Sequence, residues 1–281
     1  MMSKVSFGFV VGGDDKHYIN LMRALKGLEE RIKQPYEVVI IDNDDRFYSD
    51  EPNIKVVKED AKHLEASGRN WLQPHIWAKR YELYKHVETD YCFYMDVDTV
   101  VINDRVDELI EESEDNFMLT QHWWVPTLDE YLKHVKVDAR KVSPYFPPAG
   151  VDYFYGASGA FLFKKNAHNH FFKKFHNIYK AVHGDGSTPL NITDELLLCL
   201  TFNTFDDWKF TNGSFNHTAA HTLMPLKKEN GVWMGKNPYE KEFKPVFLFH
   251  SSFENVHTLD QYSPKYIEGI KQVMFWDEFH P

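Results

Sequence analysis

Three observations predict an α/β fold with a mostly parallel central sheet and helices on both faces. Short apolar runs alternate with segments of helical period over the first hundred residues. The runs are apolar throughout rather than alternating, as strands buried on both faces are. Gly12-Gly13, Asp42 and Asp96 all fall at the carboxyl ends of such runs, where open α/β sheets bind ligands.

Val5–Val11 is the first predicted strand, and Tyr18–Glu30 follows as a helix with Ile19, Met22, Leu25 and Leu28 at helical spacing. Glu37–Ile41 is a second buried strand and Ile54–Lys58 a third. Pro74 opens a helix to Val87, because proline suits a first helical position. Tyr91–Val97 is the fourth strand. Beyond it come a short helix at Asp107–Glu112, a strand at Phe117–Thr120 and a Gly/Ala-rich strand or strand pair at Phe154–Phe163. Ala167–Val182 is amphipathic, with Phe171, Phe175, Ile178 and Val182 on one stripe. Ile192–Asn203 is a nearly all-apolar helix, Val246–Phe249 a last strand ending at His250, and Ile267–Trp276 a terminal helix. No repeat, low-complexity run or linker divides the chain, so one compact domain is expected.

Composition narrows the function. The net charge of −10 argues against nucleic-acid binding. The 43% hydrophobic content supports a large core, and the 16% aromatic content also suits a surface that stacks on sugars. Two cysteines, Cys92 and Cys199, read as buried thiols in a reducing, cytoplasmic setting. No run is long and apolar enough for a membrane span.

The chemistry centres on Asp96 and Asp98. On a strand, residues i and i+2 point to one side, so both carboxylates can reach one divalent cation. Hard oxygen ligands suit Mg²⁺ or Mn²⁺, which in turn grip phosphates. An Asp-x-Asp pair alone is weak evidence, since an acidic chain of this length carries about one by chance. Asp42 and Asp44 form a rival pair. An apolar segment follows Asp98 directly, at Val100–Ile102, which favours the later pair.

Other residues gather round this pair. Arg80 shares a helical stripe with Ile76, Leu83 and Val87, so an anionic partner is expected, either Asp96 or a diphosphate. Lys79 points elsewhere and reads as a solvated charge. Asp194 and Glu195 open a helix, where acids also complement the dipole. Glu195 shares a stripe with Leu198, Cys199 and Phe202 and so faces inward. Val11, Gly12 and Gly13 allow close backbone approach of a nucleotide base, and Asp42 resembles the acid that reads base or ribose in many nucleotide-binding sheets. Gly156, Ala157, Ser158 and Gly159 leave room for a sugar, or else mark a tight strand crossing. Trp123 and Trp124 are either an acceptor platform or core. His168 and His170 fall on the polar side of their helix and read as solvated.

The stretch from Trp77-Ala-Lys-Arg-Tyr through Asp90-Tyr-Cys-Phe-Tyr-Met-Asp-Val-Asp resembles nucleotide-sugar glycosyltransferases of the GT-A (Rossmann-like) fold, most closely the retaining blood-group and alpha-galactosyl type. Tyr153-Phe-Tyr-Gly-Ala-Ser-Gly-Ala-Phe and Thr193-Asp-Glu-Leu-Leu-Leu carry the same likeness. That family usually has a histidine before the latter acidic pair, where Thr193 stands here. The resemblance implies a single catalytic domain over 1–281, with a nucleotide-binding half at 1–104 and an acceptor and sugar half at 105–281. It implies Mn²⁺ (or Mg²⁺) on Asp96 and Asp98, with His250 as third ligand and His257 as the weaker choice. Gly156 and Ala157 would shape the sugar pocket. Glu195, or failing that Asp194, would sit beneath the anomeric carbon. The expected activity is metal-dependent transfer of a hexose from a UDP-sugar to a saccharide hydroxyl, with retention. The rivals are an inverting transferase using Asp194 as base and a nucleotide-sugar binding protein without turnover. A nucleotidyltransferase is disfavoured, because no Gly-rich basic loop lies near the N-terminus.

Overall fold

The computed structural model describes residues 5–59, 78–121, 127, 144, 156–183, 194–211, 215–218, 226–236, 240–250, 268 and 271–279. Its centre is a seven-stranded sheet made of β1 (Val5–Val11), β2 (Glu37–Asp42), β3 (Ile54–Lys58), β4 (Tyr91–Met95), β6 (Phe117–Gln121), β7 (Gly156–Lys164) and β8 (Trp208–Thr211), with β5 (Thr99–Val101) lying outside it. The strand order is β3-β2-β1-β4-β7-β6-β8. Neighbours are parallel except β7, which runs antiparallel to both β4 and β6. The chain builds outward from β1 through β2 to β3, then returns to place β4 on the other side of β1. That reversal leaves a crevice at the carboxyl ends of β1 and β4, where open α/β sheets bind ligands.

Both faces of the sheet are covered, which is why β1 is buried at every position. On one face α1 (Asp15–Arg31) and α2 (Val106–Ser113) pack onto Phe7, Phe9, Phe93 and Met118. On the other a 3₁₀ helix (Lys79–Lys85), α3 (Asn169–His183) and α4 (Asp194–Phe202) enclose an aromatic core around Phe117, Phe161, Phe171 and Phe175. α4 is helical with almost no polar side because it is buried nearly all round, from Leu196 to Phe202.

Two further sheets complete the described fold. One joins β10 (Leu226–Glu229), β11 (Val232–Gly235) and β12 (Lys244–Pro245). In the other, β13 (Leu248–His250) pairs antiparallel with β5 and parallel with β9 (Asn216–Thr218), and its register sets His250 opposite Thr99. A last helix, α5, spans Trp276–Phe279. No described helix is long and apolar enough to cross a membrane.

Several expectations need correction. The fourth strand stops at Met95, not Val97. The residues after it form a turn in which Thr99 N–H donates to Asp96 O at 3.0 Å. The described part of the Pro74–Val87 helix has the tighter 3₁₀ form, with three residues per turn, which still places Arg80 and Leu83 on one side. The final strand includes His250 rather than ending before it. His168 is 1% exposed, not solvated. Its ring takes a 2.9 Å hydrogen bond from Lys164 N–H at Nδ1, and burial lowers its pKa to about 4. Lys79 is not a free surface charge either, since it pairs with Glu59 at 2.5 Å and Glu82 at 3.5 Å. Both cysteines are unpaired and buried, as expected. Trp123, Trp124, Thr193 and His257 lie outside the described residues, and the expected terminal helix is broken by a turn at Met274 and Phe275 before Trp276.

Candidate metal and catalytic site

Asp96, Asp98 and His250 come together at the carboxyl end of β4. Each offers a ligand atom within 4.8 Å of the others, and no other such group occurs among the described residues. They meet because of the turn and of strand pairing, not because of strand alternation. Asp96 N–H donates to Gly159 O at 2.8 Å, which ties the turn to β7. β5 then pairs with β13, and the Thr99–His250 register brings the imidazole beside Asp98, with Nε2 to Oδ1 at 3.1 Å.

The three side chains are partly open, at 25% exposed for Asp96, 27% for Asp98 and 19% for His250. Burial would lower the His250 pKa, but the adjacent Asp98 carboxylate outweighs it and raises the value to about 9. Burial likewise works to raise Asp98, and His250 overcomes it and holds that carboxyl below its usual range. Asp96 is raised, by burial first, with Arg80 and His250 opposing. Two carboxylates and an imidazole make a donor set that could hold a divalent cation.

Gly159 makes room for this cluster. A Cβ there would lie 2.8 Å from His250 Nδ1, closer still to its Cε1, and 3.1 Å from Asp96 Oδ2. Gly159→Ala should therefore push His250 aside, and a Mn²⁺ ion held by this cluster would bind more weakly by about tenfold or more, as losses of supporting contacts at metal sites do. Calorimetric titration with Mn²⁺ checks this, and unchanged affinity would show that the imidazole does not need that space.

Behind the cluster lies a buried charged network. Arg80 is 4% exposed; its Nη1 is 3.2 Å from Asp96 Oδ1 and its Nε 3.5 Å from Asp194 Oδ2. Nη1 also donates to Ser158 O at 2.9 Å. Tyr94 donates its hydroxyl to Asp96, and Tyr81 donates to Asp194 at 3.2 Å. Burial disfavours the Arg80 charge, yet the two carboxylates more than offset it and its pKa stands well above the usual value. Asp194 is 4% exposed and its carboxyl is raised, by burial first. Glu195, next along α4, is half-buried and accepts from Ser158 N–H at 2.9 Å and Ser158 Oγ–H at 3.0 Å. Sequence reasoning missed Tyr81 and Tyr94, whose hydroxyls sit on residues that otherwise read as core. Gly159 was noted only as one of four small residues.

At the end of β1, Gly13 has φ +91°, which explains a glycine there. Val11 O accepts from both Asn43 N–H and Asn43 Nδ2 at 3.0 Å. The neighbouring Asp42 carboxylate accepts from Tyr18 OH and from the N–H groups of Asp44, Arg46 and Phe47, at 2.7–3.2 Å. Four donors occupy a group with about four acceptor sites. Asp42 is thus committed to shaping this turn. Gly156 is explained by packing, because a Cβ there would run into the Leu119 side chain.

No protein-family model and no curated protein matches this chain. Solved structures do. A crystal structure of the galactosyltransferase LgtC in complex with donor and acceptor sugar analogs superposes with a TM-score of 0.57 at 15% identity, covering 94% of this chain and 99% of that one. A glutamine-to-glutamate active-site mutant of LgtC gives 0.59 at 14% identity, covering 93% and 98%. This chain has the GT-A fold. The GT-A match spans both halves of the sequence, and the mostly parallel seven-stranded sheet is its core.

Proposed function

We propose that this GT-A chain is a metal-dependent retaining glycosyltransferase that moves a hexose from a UDP-sugar to a saccharide hydroxyl. One observation carries the reading: Asp96, Asp98 and His250 converge at the sheet's switch point, directly in front of a buried Arg80 that also contacts Ser158, the residue bonded to Glu195. The LgtC structure solved with donor and acceptor sugar analogs supports a sugar donor and a sugar acceptor.

Asp96, Asp98 and His250 would hold Mn²⁺. When bound, the ion supplies Lewis-acid neutralisation of the leaving diphosphate. Arg80 holds Asp96 in place and adds positive charge behind the phosphates. The turn at Val11 and Gly12, braced by Asp42, would receive the nucleoside, and Gly156 and Ala157 the hexose. Glu195 would face the anomeric carbon, as nucleophile or as a stabiliser of developing positive charge. An inverting reaction would need Asp194 to take a proton from the acceptor. Its 4% exposure and its pairing with Arg80 and Tyr81 favour Glu195 and retention instead.

The test is consumption of UDP-Gal, UDP-GalNAc or UDP-Glc with Mn²⁺ and a saccharide acceptor, with product configuration read by NMR. Glu195→Gln should lower kcat on the order of 10³-fold with donor affinity retained. UDP binding without donor consumption would instead mark a non-catalytic binding protein.

The raised His250 pKa adds a prediction. Neutral imidazole is the ligating form, so loading Mn²⁺ at pH 7 should release about one proton. Apparent affinity should rise about tenfold per pH unit and level off near pH 9. Titration in buffers of different ionisation enthalpy measures this. In the metal-free protein the sign is opposite: stability from the His250–Asp98 pair is full below about pH 6.5 and is lost as pH rises through about 9. A pH-independent Mn²⁺ affinity would remove His250 from the ligand set.

A further inference from the structure

We propose that Ser158 is a positioning residue that sets the orientation of the Glu195 carboxylate; what that carboxylate does rests on the transferase reading above. Two donors from one residue converge on a single oxygen. Ser158 N–H reaches Glu195 Oε2 at 2.9 Å, and Ser158 Oγ reaches the same atom at 3.0 Å. A carboxylate held through two donors of one residue cannot rotate without losing both.

The hydroxyl is itself directed. Arg80 Nη1 lies 3.3 Å from Ser158 Oγ and 2.9 Å from Ser158 O. A guanidinium has donors only, so Oγ must accept from Arg80 and turn its own hydrogen to Glu195. The order of donation is therefore fixed, from Arg80 to Ser158 to Glu195. Ser158 is 7% exposed, which shelters this chain from competing water.

Its place on β7 gives the arrangement its use. The next residue, Gly159, accepts from Asp96 N–H and backs onto the His250 ring and the Asp96 carboxylate. Arg80 contacts Asp96 as well as Ser158. A short stretch of β7 and one guanidinium thus hold the metal ligands and the candidate catalytic carboxylate in a common frame. Hydroxyl side chains are not needed to build a strand here, since Ala157 and Ala160 flank the Ser158-Gly159 pair. Ser158 is the member of the stretch whose side chain bonds across to α4.

Ser158→Ala keeps the backbone donor and removes the hydroxyl. It should lower kcat for transfer by about 10- to 100-fold, the scale expected for a hydrogen bond to a charged group. The donor KM and the Mn²⁺ affinity should stay within about twofold, because the metal ligands are untouched. Ser158→Thr should restore much of kcat. In a Glu195→Gln background, Ser158→Ala should cost about twofold or less, because the two residues act as one unit. A merely structural role would lower stability and leave the kcat-to-KM split and this non-additivity absent. Wild-type kcat in Ser158→Ala, or fully additive losses, would overturn the proposal.

A readout that needs no turnover separates this idea from the transferase reading. With ¹³C-labelled glutamate side chains, the carboxyl resonance of Glu195 is identified by its loss in Glu195→Gln. It should move in Ser158→Ala and return towards its place in Ser158→Thr. A fixed resonance sinks the positioning role even if the enzyme is active. If the wild-type protein consumes no UDP-hexose and the resonance still moves, the transferase reading fails and the positioning of Glu195 stands.

Discussion

On the proposed mechanism, Asp98→Asn should abolish Mn²⁺-dependent sugar transfer, with a loss of about 10³-fold or more, because the bound ion would carry the charge stabilisation of the leaving diphosphate. The change removes one of the two carboxylates of the candidate metal site and the partner of His250 at 3.1 Å. With Asp98 27% exposed, folding stability should change little beside activity. Asp96→Asn should cost as much activity and more stability, because Asp96 also faces Arg80 at 3.2 Å and takes the Tyr94 hydroxyl. Chelation should mimic both, and added Mn²⁺ should rescue the chelated wild type but neither variant. Steady-state rates across a Mn²⁺ titration decide the matter. Full turnover in both variants would end the metal mechanism.

Arg80→Met should destabilise the fold by about 3–5 kcal/mol, the range for removing one partner of a buried ion pair. The guanidinium is 4% exposed and bridges Asp96 and Asp194, so its loss strands Asp194 as a buried carboxylate. In urea this corresponds to a midpoint lower by about 1–2 M for a chain of this size. Asp194 already has a raised pKa from burial, and losing Arg80 raises it further. A carboxyl raised above its unfolded value favours the folded state when protonated, so the deficit should shrink as pH falls. The double variant Arg80→Met, Asp194→Asn should recover part of the loss. An Arg80→Met protein as stable as wild type would mean that the network is not what holds the 3₁₀ helix against α4.

These two predictions draw on different kinds of legibility. Asp96 and Asp98 were readable because an aromatic strand running into paired acids is a local pattern. Arg80 was readable because a cation among Leu83 and Val87 breaks an apolar stripe, and Asp96 is indeed the partner it faces. Yet the reason given for the acids was wrong in detail. They follow a strand that ends at Met95, and a turn tied to Gly159 aims them. His168 misled in the other direction, because its helix begins at Asn169 and its ring folds back to cap Lys164 N–H.

From the sequence alone came the α/β class, the position of most elements, the acidic pair and the inward-facing arginine. Each is a short-range property, set by period, apolar runs and turn residues within a few positions of one another. The family resemblance pointed to His250, and tertiary structure alone put it beside the acids. His250 is 152 residues from Asp98, and only the pairing of β5 with β13 brings them within 3.1 Å. It also decided that Asp42 braces a turn, that Asp194 is a buried counter-charge, and that Ser158 joins Arg80 to Glu195. Contacts of that kind depend on strand register and on which side chains burial leaves in need of a partner, and no spacing along the chain encodes either.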